Sequence, residues 1–267
     1  LPRSLFTRNS ILWKVLGNSM KKRRQIIEAN INHCFKNKSN EWRNDLTDRI
    51  WEETHLALYE NNFAWNANKR IKKVNVKFIN SNLLTSAQNS KQGVLLLFRH
   101  NVFLELSARL LGERFEIYGM ERPNNSALIQ KLQQRGRLKG MKGLIANSNV
   151  KECMSLLKQG KIILYGPDQD YRNKSSVVST FFSQNCLTTI APYRIKKITG
   201  CNLMYVDSVR KEDTYLFKFE DVNHYAKADQ IFADMINKKI EQSIMQAPEQ
   251  YLWHHRRFKS QNPEIYD

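Results

Sequence analysis

No apolar run in this 267-residue chain approaches the roughly 20 residues that a membrane-spanning helix needs, and the longest extends only from Val94 to Phe98. Cysteine is scarce too. Cys34, Cys153, Cys186 and Cys201 are widely spaced, with no C-x-x-C pair and no histidine set nearby, which argues against a zinc site or a disulfide framework and for reduced thiols. No stretch rich in Pro, Gly and Ser divides the sequence, so residues 1–267 are expected to form a single domain with one large core. Acidic side chains are in deficit: 25 Asp and Glu face 43 Lys and Arg, a net charge of +18. Such a chain is drawn to polyanions, whether nucleic acid, an anionic membrane leaflet or an acidic protein. Its basic clusters, Lys21 to Arg24 foremost, come with no zinc-finger spacing, ribonucleoprotein-type aromatic motif or recognition-helix pattern, so a nucleic-acid-binding module is the rival reading rather than the favoured one.

What is present alternates between helical and extended patterns. Ile26, Ile27, Ile31, Cys34 and Phe35 recur at helical spacing over Lys21 to Lys36, and Trp42, Leu46, Ile50, Trp51, Leu56 and Tyr59 form the buried stripe of a second helix from Asn40 to Glu60. Strands are expected at Val74 to Ile79, Val94 to Phe98, Phe115 to Tyr118, Lys161 to Tyr165, Leu203 to Val209 and Tyr215 to Val222. Helices are expected at Ser81 to Asn89, Val102 to Leu111, Ser126 to Gln134, Lys151 to Gln159, Thr188 to Thr199 and Lys227 to Met245. The alternation implies an α/β fold with a mixed, mainly parallel sheet flanked by helices, preceded by amino-terminal helices.

The chemistry concentrates where the Val94 to Phe98 strand ends. His100 follows at its carboxyl end, where open α/β sheets place their sites, and Glu105 lies five positions later. That offset turns two side chains about 140° apart on a helix, so His100 is expected in the turn and Glu105 on the first helical turn behind it, reaching back to orient the imidazole as a general base. No G-x-S-x-G nucleophile accompanies the pair, so the base would act on a substrate hydroxyl directly. A second strand, Lys161 to Tyr165, breaks at Gly166-Pro167, which would bring Asp168 and Asp170 into the same cleft. These carboxylates could hold the hydroxyls of an acceptor, pair with arginines or simply end the strand. Arg122 and Arg137 offer guanidinium forks for a phosphate or a developing oxyanion, or pair on the surface. His254 and His255 have no Cys, Asp or Glu at ligand spacing, so no metal site is expected; Trp253, Arg256 and Arg257 are expected to anchor the last segment.

Beyond the H-x-x-x-x-E spacing, the chain resembles the lipid A biosynthesis (late) acyltransferases of the glycerolipid acyltransferase superfamily. The resemblance runs over nearly the whole chain, through Asn30 to Phe35, Tyr118 to Asn125, Gln134 to Arg137, Tyr165-Gly-Pro-Asp-Gln-Asp-Tyr171, Ser175-Ser176, Phe181-Phe182, Thr188-Thr189 and Ala247 to Lys259. Arg172 stands where the family has glycine, and Ser176 to Thr180 replaces a phenylalanine-rich stretch. The resemblance implies transfer of a fatty acyl group from acyl carrier protein to a hydroxyl of a phosphorylated glycolipid acceptor, without a cofactor, on the cytoplasmic face of a bacterial inner membrane. It further implies an anchor ahead of Leu1. Residues 1–19, where apolar side chains from Leu5 to Leu16 interleave with Arg3, Arg8 and Lys14, are expected to lie in the membrane interface or to pack on the domain. The nearest alternative, a glycerophospholipid or lysophospholipid acyltransferase with the same dyad, would lack the D-Q-D-Y and P-E-Q-Y-x-W stretches.

Overall fold

A computed structural model describes residues 21–124 and 126–267; the expected interfacial segment at residues 1–19 lies outside the described residues. Among the described residues nine strands build the frame: β1 (Asn75–Ile79), β2 (Val94–Phe98), β3 (Ile117–Glu121), β4 (Gly143–Ala146), β5 (Ile162–Tyr165), β6 (Ser176–Phe181), β7 (Gln184–Thr189), β8 (Asn202–Lys211) and β9 (Thr214–Asp221). Seven of them form one sheet in the order β1-β9-β8-β2-β5-β3-β4. Only the β8–β9 hairpin is antiparallel in it, so the sheet is mixed and mainly parallel, as the alternating pattern predicts. Strand β2 sits centrally between β8 and β5, which is why its Val94 to Leu97 are all buried and its sequence shows no polar alternation.

The period of two then divides the core into two layers. Leu95, Leu97, Ile163, Leu203 and Tyr205 point to one face, where α1 (Lys21–Cys34), the first half of α2 (Asn40–Asn66), α6 (Val150–Lys158), α7 (Ala191–Thr199) and α8 (Asp229–Ile244) cover them. Val94, Leu96, Ile162, Leu164, Met204 and Val206 point to the other, under α3 (Asn82–Asn89), α4 (Leu104–Gly112) and the second half of α2. Local chemistry starts these helices where the sequence suggests. Ser39 Oγ accepts from the Trp42 N–H at 3.2 Å and caps α2; the Asn149 side chain accepts from Glu152 N at 3.2 Å and caps α6.

Two expectations are corrected and one strand is added. The helix expected at Thr188 to Thr199 begins at Ala191, because Gln184–Thr189 pairs antiparallel with Ser176–Phe181 in a separate hairpin. Its turn, Phe182-Ser183, has φ of 49° and 61°, and with no Gly or Asn it carries no turn signal. Strand β4 has only four residues and gave no periodic pattern. Helix α5 (Ala127–Arg137) runs through Gly136 instead of ending before it, because that glycine lies against the Trp65 ring, where a Cβ would overlap it.

The chain's last segment crosses the sheet end instead of trailing from it. Val102 N donates to Gln250 O (3.0 Å) and Leu252 N to His100 O (3.1 Å), so residues 250–252 bracket the turn that carries His100. Trp253 anchors that bracket, buried edge-on against Tyr251 with centroids 4.9 Å apart, its indole N–H donating to Pro248 O at 2.8 Å. Trp253→Ala should therefore lower unfolding free energy by about 3–5 kcal/mol in urea titrations; a loss below about 1 kcal/mol would mean that the segment is not part of the core.

Candidate active site

His100 stands in the turn between β2 and α4, one wall of a cleft of about 500 Å³ that also includes Glu105, Glu121, Arg122, Arg137, Gln169 and Tyr171. The neighbouring parallel strand β5 delivers the 166–172 loop beside it, as expected from the two strand ends. Asp168, 1% exposed, grips His100 twice: Oδ1 receives Nδ1 at 2.6 Å and Oδ2 accepts the His100 backbone N–H at 2.8 Å. The geometry corrects the expected pairing, since Asp168 rather than Glu105 orients the imidazole. Burial opposes ionisation of Asp168, but His100 and the nearby Arg257 outweigh it and hold the carboxyl down at about 2. With Nδ1 engaged, Nε2 has no hydrogen-bond partner among the described residues and belongs to the cleft. Gly166 permits this, because a Cβ there would overlap the imidazole Cε1.

Glu105 is on the first turn of α4, as expected, but it turns away from the imidazole. Arg137 clasps it through Nε (3.1 Å to each oxygen) and Nη2 (2.6 Å), Trp65 Nε1 donates at 2.9 Å, and Gln133 lies 3.3 Å away. The remaining Nη1 of Arg137 donates to Glu121 at 3.0 Å, and Glu121 also accepts from Gln130 and Gln134. The fork that the sequence offers to a phosphate or oxyanion is thus filled by two carboxylates. Burial alone would weaken the guanidinium's charge; these carboxylates raise its pKa instead. Arg122, exposed and without an ion pair among the described residues, is the guanidinium left open to the cleft.

Asp170 does not enter this cleft. Its Oδ2 accepts from Ser260 N (2.9 Å) and Oγ (2.8 Å), tying the loop to the last segment, and its N–H donates to His255 Nε2 at 2.8 Å. His254 Nε2 meets Thr54 Oγ1 at 2.9 Å. Both histidines thus have structural partners. Of the three expected anchors, Trp253 and Arg257 are buried, whereas Arg256 is exposed. Arg257 donates to Gln169 O (3.2 Å), Leu187 O, Thr188 Oγ1 (3.0 Å) and Asn237 Oδ1 (3.3 Å), binding the Asp168 loop to β7 and α8. Asp168 reaches the cleft and Arg257 anchors the last segment as expected, but the direct grip of Asp168 on His100 and the clearance that Gly166 gives the imidazole have no specific sequence signature. The available signal was Gly166-Pro-Asp168 at a strand end, where a buried carboxylate beside a histidine is one of several outcomes.

Burial lowers the pKa of His254 and His255 to about 4 from an ordinary 6.5. Between those values the unfolded chain binds protons that the folded one does not, so this contribution to stability is complete above pH 6.5 and is lost as pH falls toward 4. Urea midpoints should decline from pH 6.5 to 4.5, and His254→Gln with His255→Gln should flatten that decline; an unchanged slope would contradict it.

Comparison with known proteins identifies the family of the chain. The family model described as bacterial lipid A biosynthesis acyltransferase matches residues 1–260. The lipid A biosynthesis palmitoleoyltransferase of Escherichia coli (strain K12) is 34% identical over 247 residues, covering 90% of this chain and 80% of the relative. The lipid A biosynthesis lauroyltransferase of the same strain is 32% identical over 255 residues, covering 93% and 83%. A lipid A biosynthesis acyltransferase of Haemophilus influenzae is 28% identical over 261 residues, covering 92% and 82%. The chain therefore belongs to the bacterial lipid A biosynthesis acyltransferase family, and it is an acyltransferase.

Proposed function

We propose that this acyltransferase moves a fatty acyl group from the thioester of acyl carrier protein to a hydroxyl of a phosphorylated lipid A precursor, at the cytoplasmic face of the bacterial inner membrane. The observation that carries the reading is an imidazole whose Nδ1 is held by a buried carboxylate while Nε2 is open to a cleft. Nε2 takes the proton of the acceptor hydroxyl as its oxygen attacks the thioester carbonyl. The tetrahedral intermediate collapses, the carbon–sulfur bond breaks, and the imidazolium returns the proton to the departing thiolate. Asp168 fixes the tautomer and stabilises the imidazolium, the part first given to Glu105. Glu105, Arg137 and Trp65 keep the opposite wall rigid, and Arg122 is the guanidinium available to the oxyanion or to an anionic group of the substrate. An acidic carrier protein and an anionic glycolipid both complement a chain of net charge +18.

Purified protein incubated with a panel of acyl carrier protein thioesters and a lipid A precursor should yield acceptor heavier by one acyl group. His100→Ala should abolish the product, and Asp168→Asn should slow turnover by about 10³–10⁴-fold, the scale at which an orienting carboxylate matters. Glu105→Gln, which leaves His100 and Asp168 paired, should cost far less. Acylation of lysophospholipid in place of the lipid A precursor, or full turnover by folded His100→Ala, would overturn the reading.

Helix α5 supports the membrane location. Its inner face supplies Gln130, Gln133, Gln134 and Arg137 to the cleft network, while Leu128 (69% exposed), Ile129 and Leu132 face outward beside Lys131 and Arg135. An apolar row rimmed by cations is suited to the headgroup boundary of an anionic leaflet, and each leucine buried there contributes about 1.5–3 kcal/mol. Leu128→Ser with Leu132→Ser should cut co-sedimentation with anionic vesicles by about tenfold or more, circular dichroism being unchanged. Undiminished binding would assign the surface to something other than lipid.

A further inference from the structure

The 168–172 loop is a partition between two hollows. Gln169 and Tyr171 line the His100 cleft, whereas Asp170 and Arg172 line a second, open hollow of about 1030 Å³ on the other side. Six cations converge on that second hollow: Lys22 and Arg23 from α1, Arg122 from the segment after β3, Arg172 from the partition, and Arg256 and Lys259 from the last segment. All six are exposed, and none makes an ion pair among the described residues. Arg24, Arg49, Arg109 and Arg194 are each matched by a carboxylate, whereas these six, gathered in one recess, are not. The hollow's single acidic residue, Asp170, gives its Oδ2 to Ser260, and its Oδ1 is buried rather than presented to the hollow. Arg256 is steadied over the Tyr266 ring, 5.6 Å from its centroid. Like charges brought together without a counter-ion repel, and a concave setting focuses their field on whatever enters.

Arg122 borders both hollows, so a ligand held in the basic one lies a single loop away from His100 Nε2. We propose that the basic hollow binds the anionic substituents, phosphate or carboxylate, of the acceptor's sugar headgroup, so that the acceptor's hydroxyl-bearing chain crosses beside Arg122 into the His100 cleft. This rests on the acceptor named above. A recess bounded by the partition loop, α1 and the last segment suits a compact headgroup, whereas the convex face of a folded carrier protein would meet only its rim. The two histidines on its wall, kept neutral by burial, leave the arginines and lysines as its charge at neutral pH.

The test combines Arg172→Gln, Arg256→Gln and Lys259→Gln, all exposed positions, in one variant and measures acyl transfer and ligand binding separately. The KM for lipid A precursor should rise about tenfold or more, equivalent to 1.4 kcal/mol per decade, while the KM for acyl carrier protein thioester stays unchanged. On enzymatically dephosphorylated acceptor the penalty should vanish if phosphates occupy the hollow and persist if carboxylates do. Calorimetric titration with inorganic tripolyphosphate should show binding to the wild-type protein that weakens in the variant and with added salt. An unchanged acceptor KM, or a rise confined to the carrier protein thioester, would overturn the proposal, the second result assigning the hollow to the carrier. If the wild-type protein acylates no lipid A precursor, the function above falls and the tripolyphosphate titration still decides: selective loss in the variant keeps an anion site, equal binding removes it.

Discussion

A carboxylate taken fully out of water is stable only if its oxygens are hydrogen-bonded, and Asp168 meets that requirement through His100. Both of its oxygens are spent on that one residue, one on the backbone N–H and one on the imidazole. Everything that places Asp168 therefore places the imidazole. Strand β5 supplies the position, Gly166 the clearance, and Arg257 the tie from the loop to β7 and α8. From the other side, residues 250–252 bond the backbone of the His100 turn. The site is built where three distant stretches of sequence meet at one end of the sheet, and removing any of them would free the imidazole.

The same construction explains what the sequence could and could not disclose. The central strand was readable because a strand buried on both faces is apolar without interruption, and Val94 to Leu97 is such a run. The helices were readable from their periodic stripes and the polar residues at their ends. The β6–β7 hairpin was hidden, since its turn residues, Phe182 and Ser183, adopt positive φ without the usual glycine or asparagine. His100, Asp168 and the Trp253 segment stood out as polar or aromatic residues in unusual settings. Their connections did not, because a five-residue spacing constrains Glu105 to the helix behind the histidine but says nothing about which way its side chain turns. That choice is made by Arg137 and Trp65, distant in sequence, which engage Glu105 on the cleft's other wall.

Charge is apportioned unevenly over the molecule. Where basic side chains face the catalytic cleft, Arg137 is neutralised by Glu105 and Glu121, which keeps that wall fixed rather than attracting ligands. Arg210 is treated likewise by Glu53 and Glu60 in the interior. The cations of the basic hollow and of the outer face of α5, by contrast, make no ion pair among the described residues. Arg122 joins the basic hollow to the cleft, and Gln133 and Arg137 of α5 line the cleft from the helix whose outer face carries Leu128 and Leu132.

The central claim is that Asp168, and not Glu105, holds the proton on His100 Nδ1. Proton NMR of the wild-type protein with ¹⁵N-labelled histidine tests this directly. A single resonance far downfield of the amides, coupled to His100 Nδ1, is expected to persist in Glu105→Gln and to disappear in Asp168→Asn. Its survival in Asp168→Asn together with its loss in Glu105→Gln would contradict the account.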